Sequence, residues 1–236
     1  LSVAGMQPVT LSAPTFTWRT HSMSRYPTDP NLQFLRGTRG GKVRRGYLAH
    51  YAFAPAAVAN GSVLAATTLL DAAAQTLTQG FTHPGVPRAL SVKGNAAGIA
   101  GNIVITGTDA NGFPLSETIA LNGTSVVAGA VAFAKIAKIV LPARTAAGNT
   151  VQVGVTNKLG LWHSLTWDSR LVTQFDGAAD AGTLAIDSDE VYKNLFTPAG
   201  TLDGTKILRI VYVVGSRSYP APGIGRAPAV ERSLWH

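Results

Sequence analysis

The sequence predicts an all-β fold: an antiparallel β-sandwich or barrel-like domain with extended N-terminal and C-terminal arms. Three observations predict it. Apolar and polar residues alternate with period two in many short runs from residue 88 onward. Gly-containing turn pairs separate those runs at roughly 8–12 residue spacing. Proline and glycine crowd both ends, while the middle is strand-like.

Residues 1–60 read as irregular. Pro8, Pro14, Pro27, Pro30 and Pro55 punctuate them, and Gly37, Gly40 and Gly41 flank a basic run. Yet Phe16, Trp18, Tyr26, Phe34, Tyr47, Tyr51 and Phe53 are interspersed. A disordered linker is usually poor in aromatic residues, so this segment is expected to be an arm that orders on a neighbour. The bland alternative is a meandering segment packed on its own domain. Over 61–80 the signals conflict. Ala and Leu favour helix, whereas the Gln75-Thr76-Leu77-Thr78 alternation favours strand over 75–81; 62–72 stays open.

Further on, alternation marks strands at 89–93, 102–106, 115–121, 131–141, 150–155, 171–175, 191–196 and 206–214. The turn pairs are Gly94-Asn95, Asn111-Gly112, Asn122-Gly123, Gly148-Asn149, Asp176-Gly177 and Asp203-Gly204. Asn-Gly and Asp-Gly supply the positive φ that tight hairpins require. Ile103 and Ile105 face one way and Val104 the other, so that strand is expected to be central or at a subunit contact. The last strand, with Ile207, Ile210, Val211, Val213 and Val214, is similarly apolar. The tail, 216–236, carries Pro220, Pro222 and Pro228, which exclude regular structure, and it closes with Leu234-Trp235-His236. It reads as a second docking arm. The expected organisation is therefore a basic arm over 1–60, a β-domain over 61–215 and a C-terminal arm over 216–236.

Charge follows the same division. The chain has a formal net charge of +8. Residues 51–215 hold ten basic and ten acidic side chains, so the ends carry all of the excess. A neutral body with basic ends points to an acidic partner. Only 14% of residues are charged, against about 25% in an average soluble protein. So sparse a surface suits repeated packing against neighbours. There is no cysteine, which excludes disulfides and thiolate metal sites. No run of about 18 apolar residues predicts a membrane span. Residues 1–11 lack a charged stretch followed by an apolar run, so no targeting signal is read.

The chemistry-bearing residues have plainer roles open to them. His163-Ser164 with Asp168 has the residue types of a nucleophilic triad, but triad members usually converge from distant segments. A loop whose Trp162 and Trp167 pack is the preferred reading; a carbohydrate-binding use of the two tryptophans is the variant of it. Asp176, Asp180, Asp187, Asp189 and Glu190 are the densest acids, and without a cation-loop register they read as solvated loop residues. Gly94, Gly98 and Gly101 lack the Lys-Ser/Thr of a phosphate loop. The basic run Arg36, Arg39, Lys42, Arg44 and Arg45 is the sharpest charge feature. Beside Phe34 and Tyr47 it could grip single-stranded nucleic acid. A clamp on an acidic protein surface is preferred, because the body offers no basic groove. No catalytic residue, metal ligand or cofactor is expected.

One block has a recognisable texture. Pro84-Gly85-Val86-Pro87-Arg88 is followed by Val92-Lys93-Gly94-Asn95-Ala96-Ala97-Gly98-Ile99-Ala100-Gly101-Asn102. Val104-Ile105-Thr106-Gly107-Thr108-Asp109-Ala110-Asn111-Gly112 and Glu117-Thr118-Ile119-Ala120-Leu121-Asn122-Gly123-Thr124 continue it. It closes with Ile139-Val140-Leu141-Pro142, residues 151–155 and Lys158-Leu159-Gly160-Leu161. This block resembles one found in virion structural proteins of tailed bacteriophages, of the kind that decorates or cements the head shell. Tail and neck positions are the alternatives. The resemblance implies a non-enzymatic β-rich protein in the phage head, present in host cytoplasm during assembly. Its implied partners are the major capsid protein and further copies of itself, as a homotrimer. The ends lie outside the block, so their roles rest on composition. The expected partner contacts are Arg36, Arg39, Lys42, Arg44, Arg45, Trp18, Phe34, Tyr47, Arg226, Arg232 and Trp235.

Overall fold

The computed structural model describes residues 32–36 and 43–215, with side chains from Tyr47 onward. In chain order its strands are β1 (Leu32–Arg36), β2 (Val43–Phe53), β3 (Ala59–Thr68), β4 (Gln75–Leu77), β5 (Arg88–Gly94), β6 (Asn102–Thr108), β7 (Pro114–Ala120) and β8 (Val127–Phe133). There follow β9 (Lys135–Leu141), β10 (Thr150–Gly160), β11 (Arg170–Phe175), β12 (Ala178–Ala179), β13 (Thr183–Ala185), β14 (Leu195–Thr197) and β15 (Leu208–Gly215). Among the described residues there is no α-helix, only a 3-10 turn at Val191–Lys193.

The strands form three antiparallel sheets. The first has the order β1-β2-β15-β11-β12, and the third has β4-β9-β6-β7. The second runs β13-β14-β10-β5-β8, with β3 also paired to β10. The fold is all-β, and one part curls into a half-barrel. That curl has a local cause. Residues 131–141, expected as one strand, are two. β8 belongs to the second sheet and β9 to the third, with Ala134 alone between them. The Ala134 amide donates to the Thr108 carbonyl at 2.9 Å and pins the corner. Phe133 and Ile136, on either side of it, are both buried in one core. Phe133 and Ile136 are three residues apart, so period two breaks at the corner, and a register shift in β9 brings Ile139 and Leu141 back to the core.

Two apolar cores result. The larger lies between the second and third sheets, from Leu90, Val92, Ile103, Ile105, Phe133 and Ile139 among others. The smaller lies under the first sheet, where Tyr51, Ile210, Tyr212 and Val214 meet Leu159, Leu161 and Phe196. β10 serves both. Val151, Val153 and Val155 face the larger core, and Leu159 faces the smaller.

The crossover is built from a bulge. On β5, Leu90 and Arg88 are two residues apart; their β10 partners, Val155 and Leu159, are four apart. The extra residues free the Thr156 carbonyl from the ladder. Arg88, only 2% exposed, turns its guanidinium inward to fill the vacancy. Its Nε donates to the Thr156 carbonyl at 2.8 Å, Nη2 donates to the same oxygen, and Nη1 reaches the Ala56 carbonyl at 2.8 Å. Burial lowers the Arg88 pKa to about 10. No carboxylate pairs with it in these bonds, so carbonyl dipoles do the compensating.

Several sequence expectations change here. Within the stretch expected to be an arm, β2 is an interior strand of the first sheet and β1 pairs with it. Tyr47, Ala49, Tyr51 and Phe53 alternate toward the smaller core, so the aromatic residues mark a strand of the body. Residues 1–31, 37–42 and 216–236, the remaining parts of the expected arms, lie outside the described residues. The open stretch 62–72 is largely β3, and the strand expected over 75–81 shortens to β4. Residues 191–196 divide into the 3-10 turn and β14. Gly94-Asn95 makes no positive-φ turn; Gly94 is the last residue of β5, where a Cβ would lie 2.8 Å from the Gly123 carbonyl oxygen. By contrast, Asp176 and Gly177 have φ of 54° and 80°, the pair of left-handed residues that closes the β11–β12 hairpin.

Replacing Arg88 with Met leaves the buried Thr156 carbonyl without its donors, while the Ala56 carbonyl is open to solvent. At about 1–3 kcal/mol for one unsatisfied buried group, R88M is expected to lose about that much. Urea unfolding checks this as a lower midpoint with an unchanged slope.

Candidate interaction surface

Three loops meet at one end of the molecule: 109–113 between β6 and β7, 161–169 after β10, and 186–194 before β14. Each is fastened by a side chain whose polar groups are consumed in doing so. Asp109 is buried, and its Oδ1 accepts from the Asn111 and Phe113 amides at 2.8 and 2.9 Å. Burial raises its pKa despite those bonds. Asn194 is fully buried. Its Oδ1 accepts from the Leu165 and Asp187 amides, and its Nδ2 donates to the Asp187 and Glu190 carbonyls. One amide thereby joins two loops and saturates its own hydrogen-bonding capacity. Asn111 ties the first loop to the second through the Trp162 carbonyl at 3.2 Å.

Beneath lies an aromatic layer. The Tyr51 hydroxyl accepts from the Trp162 amide at 2.6 Å, and the two rings stack at 4.4 Å with 12° between planes. His163 sits between two tyrosines, Nε2 2.5 Å from the Tyr47 hydroxyl and Nδ1 2.6 Å from the Tyr212 hydroxyl. A neutral imidazole has one donor and one acceptor, so one tyrosine donates and the other accepts. Burial lowers the His163 pKa to about 4 and raises those of Tyr51 and Tyr212.

The triad residues are therefore not brought together. Both His163 nitrogens are taken by tyrosines, and Ser164 is buried. Asp168 forms a bidentate pair with Arg170, whose guanidinium also donates to the Gly182 carbonyl and lies over the Phe196 ring. That ion pair holds the Asp168 carboxyl below its usual range. The acid cluster is likewise dispersed into turns. Asp180 accepts from the Gly182, Ala199 and Gly200 amides, and Asp187 from the Asp189 and Glu190 amides. Among the described residues no group of three or more His, Asp or Glu is placed to hold a metal ion. An open groove of about 440 Å³ runs along Arg170, Leu171, Val172 and Asp180.

What this end shows to solvent is large and apolar. Trp167 is 60% exposed, Phe113 41%, Ile186 39% and Trp162 37%. Exposed aromatic residues over a rigid, satisfied polar layer are the ingredients of a recognition surface.

The expected contact residues fall differently. Trp18, Arg39, Lys42, Arg226, Arg232 and Trp235 lie outside the described residues. Phe34 and Arg36 lie on β1, where Phe34 is in register with Arg45 and Leu35 with Arg44. The basic run therefore spans a hairpin. Its β2 limb runs beyond the last β15 pair, Gly215 opposite Gly46. Tyr47 is half-buried and serves the His163 network. Sequence reading missed Asn194, whose neighbours suggest only a charged loop. It also missed the tyrosine cage, whose members lie 116 and 49 residues from His163. The aromatic alternation in 47–53 was the available signal for that cage.

Comparison with known proteins finds no matching protein family, no similar curated protein and no similar solved structure.

The His163 cage makes stability pH-dependent, with a definite sign. An unfolded imidazole titrates near 6.5 and the folded one near 4. As pH falls through 6.5 the unfolded state takes up the proton first, so stability is lost between about pH 6.5 and 4 and is complete above that window. The loss is expected to reach about 3 kcal/mol. Denaturation at stepped pH should show it, and H163Q should lack this component.

Proposed function

We propose that this chain is a non-enzymatic virion structural protein of the head-decoration type, which bridges capsid subunits through its basic ends. The observation that carries the structural reading is the use of the reactive side chains. His163, Asp168, Arg170, Asp180, Asp187 and Asn194 brace loops, while Trp162, Trp167 and Phe113 face solvent. Such an end can recognise a surface. The 84–161 resemblance supplies the kind of assembly, and the neutral body with positive ends supplies the mode of attachment. Several weak contacts from one subunit become strong in combination.

The truncation that tests this must respect β2. Removing 1–50 would strip an interior strand from the first sheet, so deletion should stop at residue 31. That variant, carrying R39E and K42E as well, is expected to keep its β circular dichroism and lose co-sedimentation with assembled shells. Full-strength binding would sink the bridging role. Imaging that places the chain in the tail or neck would keep the structural class and move its position.

A second reading has one observation in its favour. Arg36, Arg44 and Arg45 lie on two paired strands, and the sequence between those strands adds Arg39 and Lys42, a concentration of cations suited to single-stranded nucleic acid. It predicts binding that weakens steeply as salt rises. A fluorescently labelled oligonucleotide showing no anisotropy change at low salt removes it.

A further inference from the structure

β8 is an edge strand of the second sheet and β7 an edge strand of the third, and the two come together along one side of the larger core. β8 is bulged there. Ser91 and Ala89 of β5 pair with Ala128 and Ala132, so Leu90 alone faces Gly129, Ala130 and Val131. The amides of those residues need another acceptor. Glu117 of β7 provides one. It lies between buried Leu115 and Ile119 on the inward-facing register of its strand, opposite Ile105. Its Oε1 accepts from the Ala130 amide at 2.5 Å. Its Oε2 is buried and has no hydrogen-bond partner. The carboxyl fits only because residue 129 is glycine: a Cβ there would lie 2.5 Å from Oε2 and 2.9 Å from Oε1.

The charged surroundings are sparse. Lys158 of β10 faces the carboxyl, and its ammonium reaches the Gly129 carbonyl at 3.4 Å. On β5, Arg88 is committed to the Thr156 and Ala56 carbonyls. The 3-10 turn that packs on β8 brings Tyr192 to the core, and its Lys193 stands 3.8 Å from Asp187. The bulged residues of β8 themselves carry no titratable side chain.

We propose that Glu117 is a proton-operated latch on the β7–β8 seam. In its ionised form it leaves a buried oxygen unsatisfied beside an edge strand, so the seam is the side of the larger core that opens first. Protonation removes the buried charge and with it the cost of keeping an ionised oxygen out of water, and the seam tightens. Burial raises the Glu117 pKa, which fits that direction. The linkage sign is the reverse of that for a salt-bridged carboxylate. The folded state binds the proton more tightly than the unfolded state. The stabilisation therefore grows as pH falls through the raised folded value and is complete below the ordinary value of 4.5.

Hydrogen exchange resolved to the Ala130 and Val131 amides, corrected for intrinsic rate, tests the latch in the full chain. Wild type should show a severalfold rise in protection as pH is lowered from neutral toward 4.5, tenfold for each unit by which the folded pKa exceeds the unfolded one. E117Q, neutral but isosteric, should be protected at every pH and show no such rise. K158M should move the rise to higher pH, because a favourable cation is gone. G129A should abolish protection by displacing the carboxyl, even where Glu117 variants fold poorly. A pH-independent wild type, or an E117Q that still shows the rise, overturns the proposal. Neither result bears on whether the chain joins a virion.

Discussion

The fold depends on how backbone groups released by two bulges are satisfied inside the protein. Both bulges flank β5, one in β10 beside Ala89 and one in β8 beside Leu90. Each bends its strand and so helps curl the second sheet, and each releases backbone groups from the ladder. Left unpaired where it is buried, such a group would cost about 1–3 kcal/mol. On the β10 side the released group is a carbonyl, and a cation, Arg88, takes it. On the β8 side the released groups include an amide, and an anion, Glu117, takes it. Lys158 spans the two, rooted in one bulge and donating to the Gly129 carbonyl of the other. Formal charges therefore stand in for missing ladder partners, each of the sign its backbone group requires.

The same logic recurs at the loop end. Asp109, Asn194 and His163 would attract notice in any search for chemistry, yet each spends its hydrogen-bonding capacity on holding backbone or ring in place. A side chain so committed is poorly suited to proton transfer or ion binding, since either requires giving up a buried bond. What remains free is the apolar surface that these anchors support. Rigid support lowers the ordering cost of docking, so an aromatic residue fixed from beneath binds better than the same residue on a loose loop.

Much of the fold was legible, and the failures share a cause. Alternation located β6, β7 and β15 because each has one face on a core, and it also marked β5, which is buried on both faces, β10, and β11, which is only partly covered. It did not reveal that 131–141 turns a corner at Ala134, since apolar residues run through the whole stretch and the break in phase between Phe133 and Ile136 is made good again by Ile139 and Leu141. Prolines and glycines before residue 43 drew attention away from 47–53, where four alternating residues spell an interior strand. Sites were less legible than strands. Arg88, Asp109 and Glu117 all lie within the block that resembles virion proteins, yet nothing local marks them as braces. Their partners are carbonyls and amides, which every residue possesses. The Tyr47–His163–Tyr212 cage joins three segments that only the finished fold makes neighbours.

The placement of charge follows from these constraints. The described body holds its ten cations and ten anions largely in fixed internal tasks: Arg88 and Glu117 at bulges, Arg170 on Asp168, Arg144 on Asp71 at 2.8 Å, and Asp180, Asp187 and Asp203 in turns. A body whose charges are committed and balanced exerts little long-range pull. The sequence concentrates its excess cations before residue 46 and after residue 216. Under the proposed bridging role, long-range attraction to an acidic partner would come from those segments, and close fit from the aromatic loop end.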